Sequence, residues 1–143
     1  MREPPRHLDY PEELFPLKAL TGTIIASAFT VFNTLGFGFL ETVYRRALVV
    51  ELRHRGVWVD EEVFFNMTHR GEPIAKYKAD VIAEKRVIVE AKTGRARDPN
   101  APTQLLNYLS VAKIDIGLVV HFGPRGVQTK RVIATEERTP SED

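Results

Sequence analysis

The sequence predicts a mixed α/β domain, a central sheet flanked by helices in the order α-α-β-β-β-α-β-β. Three observations carry this prediction. The 143 residues hold one domain at roughly 100–200 residues each. Apolar residues recur at helical spacing up to Gly56 and alternate in β fashion beyond it. A single helical stretch then returns between β-rich runs, which marks a crossover after an antiparallel meander.

Residues 1–11 contain Pro4, Pro5 and Pro11 and read as an irregular arm before a domain over 12–135 and a polar tail over 136–143. From Glu12 to about Asn33, the residues Leu14, Leu17, Leu20, Ile24, Ala28 and Val31 mark one helix face. Gly36-Phe-Gly38 interrupts it, since glycine is a poor helix interior. A second helix follows from about Phe39 to His54, with Tyr44, Leu48 and Leu52 on its apolar side and Gly56 beyond its end. Val57–Val59 and Val63–Met67 are β-rich, and Arg70-Gly-Glu-Pro73 is a turn cluster. Ile74 to Ala83 reads as the next strand. Simple alternation puts Lys76, Lys78 and Asp80 on one face and Tyr77, Ala79 and Val81 on the other. Arg86 to Lys92 is a third strand, followed by a Gly/Pro/Asp/Asn loop. Thr103 to Lys113 is the crossover helix, Ile116 to Phe122 a buried strand, and Val127 to Ala134 an edge strand.

Composition narrows the function. With 43% hydrophobic and 27% charged residues the chain is neither disordered nor fibrous. No apolar run approaches the roughly 20 residues of a membrane span. Met1 to Arg6 lacks a secretory layout, and with no cysteine there is no disulfide framework, thiolate zinc site or cysteine nucleophile. A cytoplasmic location is expected. The four histidines form no close pair, which argues against zinc, and His121 is expected to be a satisfied structural histidine. Both ends are acidic, so the net charge of +1 conceals +6 over residues 15–135, with +4 inside 85–97. That distribution is compatible with a polyanion.

Charged residues appear where burial makes them expensive. In Arg86-Val-Ile-Val-Glu-Ala-Lys92, Glu90 and Lys92 share a face of what should be an interior strand. Asp80 lies across the preceding reversal, within reach as a cross-strand neighbour of Glu90. Two close carboxylates are stable together mainly around a cation, and oxygen-only ligands suit Mg²⁺. With Lys92 beside them, the set fits metal-assisted hydrolysis of a phosphodiester. By itself the triplet equally fits a structural Glu–Lys pair and an unrelated Asp. Gln104 and Tyr108 stand four apart on one face of the crossover helix. Glu41 opens the second helix, where a carboxylate also favours the macrodipole. Trp58 and Phe64-Phe65 read as core aromatics rather than base-stacking residues.

Gly38-x-x-Glu41-x-x-Tyr44, followed in order by Tyr77-Lys-Ala-Asp80, Val89-Glu-Ala-Lys92 and Gln104-Leu-Leu-Asn-Tyr-Leu109, resembles the GxxExxY proteins, a branch of the PD-(D/E)XK nuclease superfamily. The likeness covers about residues 14–134. It implies a restriction-endonuclease-like core in which Asp80, Glu90 and Glu41 hold Mg²⁺ or Mn²⁺, Lys92 is the catalytic lysine, and Gln104 and Tyr108 support the site. It also implies a nucleic-acid partner, DNA before RNA, with Arg86, Arg95 and Arg97 meeting phosphates. A homodimer is one way for so small a domain to cut both strands. Ala79 replaces the family's proline before Asp80. That proline shapes backbone and ligates nothing, so the expected chemistry is unaffected. The competing expectation is a non-catalytic nucleic-acid-binding or protein-interaction module that retains the fold.

Overall fold

The computed structural model describes residues 17–134. The expected arm over 1–11, the start of the first helix and the tail over 136–143 lie outside the described residues. The chain runs α1 (Lys18–Leu35), α2 (Glu41–His54), β1 (Val59–His69), β2 (Glu72–Ala83), β3 (Val87–Thr93), α3 (Ala101–Ala112), β4 (Ile116–Gly123) and β5 (Gly126–Ile133). The five strands form one sheet in sequence order. Only β3 and β4 are parallel, and α3 makes the crossover between them. Among the described residues no helix is long and apolar enough to cross a membrane.

Strand alternation builds three layers. Val87, Val89 and Ala91 of β3 pack with Ile24, Ala28, Tyr44 and Leu48 of α1 and α2. Ile88 packs on the other face with Leu105 and Leu109 of α3. Buried hydroxyls on α1 are satisfied locally, Ser27 donating to the Thr23 carbonyl at 2.7 Å. Arg131 of β5 donates to Thr21 Oγ1 at 2.7 Å and ties the sheet edge to α1.

Gly117 lets α3 lie close to the sheet, because a Cβ there would come within 2.7 Å of Leu105 Cδ2 and 2.8 Å of its Cγ. Gly117→Ala is therefore expected to destabilise the protein by about 1–3 kcal/mol through overpacking. Thermal melting checks this, and an unchanged midpoint would refute the close contact.

Two expectations fail. The alternation assumed for β2 does not run through. Val59, Val81 and Ala83 face α1 and α2, whereas Tyr77 and Ala79, with Val63, Phe65 and Met67, face α3. The hairpin changes faces at Glu62 and Asp80, and Glu62 has a left-handed φ of 53°. Trp58 and Phe64 are also not core residues, being 61% and 60% exposed. Phe64 alternates with inward Phe65, and Trp58 precedes the edge strand, its indole N–H donating to Asp60 at 3.3 Å.

Candidate active site

The site lies where the sheet forks. The β2–β3 register runs Ala83↔Val87, Ile82↔Ile88 and Val81↔Val89, then stops one step before Asp80 and Glu90 would face each other. Beyond it β2 stays with β1 as far as Glu72, while β3 stays with β4 as far as Thr93. Two carboxylates thus border a gap in the ladder.

Glu90 is largely buried. Its pKa is pushed up to about 7, first by burial. The Tyr77 hydroxyl, donating to Glu90 Oε2 at 2.7 Å, pulls it down. The Asp80 charge pushes it up, Lys92 pulls it down and Glu41 pushes it up. Tyr77 has its own pKa raised, chiefly by burial and then by the Glu90 charge. Its ring stacks on Tyr108 of α3 at 3.9 Å between centroids, which fixes where the hydroxyl points. Glu41 starts α2 on the far side of the gap. Its pKa is raised by partial burial, with Lys92 opposing, Asp80 adding and Arg45 opposing. Glu41, Asp80, Glu90 and Lys92 therefore form one electrostatically coupled group.

The corner before α2 is held by Tyr44, a fully buried residue. Its hydroxyl donates to the Gly36 carbonyl and accepts the Phe39 N–H, and its ring stacks on Phe122 at 4.5 Å. In Gly38-x-x-Glu41-x-x-Tyr44 the tyrosine anchors the corner while the glutamate is presented at the gap.

Glu90, Lys92, Gln104 and Tyr108 together line a cleft of about 20 Å³. Lys92 also borders a larger cavity of about 580 Å³ with Arg97, His121 and Lys130. Arg95 lies 5.7 Å from the Phe37 ring centre and borders a further cavity with Arg125 and Gln128. Arg86 is not brought to this end. It sits in the turn before β3, about 20 Å from Lys92 along the strand. His121 is only half satisfied: Nε2 lies 2.9 Å from the Gly94 carbonyl, and among the described residues buried Nδ1 has no hydrogen-bond partner.

Sequence reasoning did not single out Tyr77, Arg125 or Lys130. Tyr77 was legible only as part of a strand. The two cations lie 33 and 38 residues beyond Lys92 and arrive through the registers Lys92↔His121 and His121↔Gln128.

Among the described residues no three acids or histidines form a ready metal cage. The oxygen donors of Asp80 and Glu90 nevertheless fit a hard cation that keeps several waters. Burial chiefly, with the Asp80 charge adding, raises the Glu90 pKa, and a bound cation would favour its ionised form.

This fold and this group of acids with a lysine define a nuclease-type core. The chain belongs to the PD-(D/E)XK nuclease superfamily, whose family model matches residues 18–132. Among solved structures it is similar to SSO0001, with 22% identity and a TM-score of 0.55 over 94% of this chain; it spans 65% of that protein's length. It is also similar to a phage-related exonuclease from Haemophilus somnus 129PT, with 11% identity and a TM-score of 0.50, covering 83% of this chain and 73% of that one. An alkaline exonuclease from Laribacter hongkongensis aligns at 12% identity and a TM-score of 0.47, covering 89% and 84%. At these identities the likeness is one of fold. No curated protein matches the sequence.

Proposed function

We propose that this protein is a divalent-metal-dependent nuclease that hydrolyses phosphodiester bonds in DNA, and that it falls in the GxxExxY branch of its superfamily. The observation that carries the reading is the coupled group of Glu41, Asp80, Glu90 and Lys92 at the fork between β2 and β3. A protein that merely binds phosphate gains nothing from clustered carboxylates facing it.

Asp80 and Glu90 would hold Mg²⁺ or Mn²⁺, with Glu41 contributing directly or through water. The chemistry such an ion would supply is Lewis-acid polarisation of a phosphate oxygen and acidification of a water. Lys92 orients the attacking water and offsets charge developing on the phosphate. Tyr77 fixes the rotamer of Glu90, and Tyr108 and Gln104 close the α3 side. Arg95 and Arg97, with Arg125 and Lys130, meet flanking phosphates. Arg86, at the other end of β3, meets phosphates only on a distant part of a long duplex.

Cleavage of labelled DNA with Mg²⁺ or Mn²⁺ tests the reading. Lys92→Ala is expected to lose cleavage by about 10²–10³-fold while keeping Mn²⁺ binding in calorimetry, and Asp80→Asn to lose both. Equal residual activity in wild type and both variants would leave the non-catalytic module as the better description.

A further inference from the structure

Beyond Asp80 the β1–β2 hairpin continues as a two-stranded ribbon. One of its faces is covered by α3, through Phe65, Met67 and Tyr77. Among the described residues nothing covers the other face, where Phe64, Lys76 and Lys78 are exposed. The register Phe64↔Lys78 and Asn66↔Lys76 puts these four side chains together on that face. The Lys76 ammonium lies 5.7 Å from the centre of the Phe64 ring. Lys78 lies 3.8 Å from the Glu62 carboxylate, which Arg45 also approaches at 3.7 Å while holding Glu61 at 3.3 Å. Between residues 63 and 79 the only acid is Glu72, against Arg70, Lys76 and Lys78. A large exposed aromatic beside amines, on a ribbon leaving a candidate phosphodiester site, matches the chemistry of a stacking platform for single strands.

We propose that this face of the hairpin binds a single-stranded segment of nucleic acid adjoining the scissile phosphate. Phe64 stacks on a base, Lys76 and Lys78 meet the backbone, and Asn66 offers an adaptable hydrogen bond. Alternate residues on a strand are about 7 Å apart, so Lys78 reaches the nucleotide next to the phosphate at Asp80 and Lys76 the one after. The proposal rests on the nuclease reading for its direction along the strand, while binding itself can be measured without cleavage. A groove-reading β-ribbon would instead favour duplex, which the duplex arm of the test separates.

The test is fluorescence anisotropy with a 20-nucleotide oligothymidylate and with a 20-base-pair duplex, in chelator. Phe64→Ala is expected to weaken oligothymidylate binding roughly tenfold, and Phe64→Trp to restore it. Lys76→Ala with Lys78→Ala should lower the slope of log affinity against log salt by about 1.4, at about 0.7 for each lost phosphate contact. Both sites are exposed, so the fold should survive, and circular dichroism checks it. Unchanged oligothymidylate affinity in both variants, or losses confined to the duplex, would overturn the proposal. Binding through this face by a wild-type protein that cuts nothing would support the platform and remove the nuclease reading. Cleavage abolished by Glu90→Gln, with hairpin variants binding like wild type, would do the reverse.

Discussion

Glu90→Gln is expected to abolish cleavage and, without metal, to make the protein more stable at pH 8. Burial raises the Glu90 pKa from 4.5 to about 7. An acid whose folded pKa lies above its unfolded value supports the fold fully below pH 4.5 and loses that support as pH rises to about 7. The change is worth about 3 kcal/mol. Glutamine removes the charge and keeps an oxygen to accept the Tyr77 hydroxyl. Denaturant unfolding in chelator should show a gap between variant and wild type at pH 8 that closes near pH 4. Added Mn²⁺ should raise the wild-type midpoint and leave the variant unmoved. A gap of the same size at both pH values would mean that Glu90 is not the strained carboxylate.

The second large effect is expected at Tyr44. Tyr44→Ala removes a fully buried ring stacked on Phe122 and should destabilise the fold by about 3–5 kcal/mol. Tyr44→Phe keeps the ring and loses the hydroxyl's ties to the Gly36 carbonyl and the Phe39 N–H, costing about 1–2 kcal/mol. Because Glu41 lies one turn upstream, the Phe variant should also cut more slowly at a temperature where it is fully folded. Melting and cleavage measured on the same samples separate the two roles. Full activity in Tyr44→Phe would show that the corner does not position Glu41.

The layers were legible because apolar spacing reports directly which face of an element is covered. Ile24, Ala28 and Val31 on α1, and Val87, Val89 and Ala91 on β3, lie where periodicity put them. Glu90 and Lys92 were conspicuous for the same reason, as charges in an otherwise buried strand. The face change at Glu62 and Asp80 was not legible. It depends on a glutamate adopting a backbone conformation that usually announces itself as glycine. Once that change is missed, Tyr77 lands on the wrong side of the sheet and its hydroxyl cannot be connected to Glu90. Phe64 was misread because hydrophobicity alone does not say where a two-stranded ribbon outgrows the helices covering it. Arg86 stood close to Lys92 in sequence, but a strand carries its two ends apart.

The parting of β2 from β3 also separates two design problems. Inward of it, Val81, Ala83, Val87 and Val89 are buried in the core, and a single-residue insertion would turn such groups outward. Outward of it, among the described residues, the backbone of β2 pairs with β1 alone. Residues added in pairs at its tip, around Arg70 and Gly71, would lengthen the arm without disturbing the acids at its root. Reach along a substrate could then be adjusted independently of the chemistry.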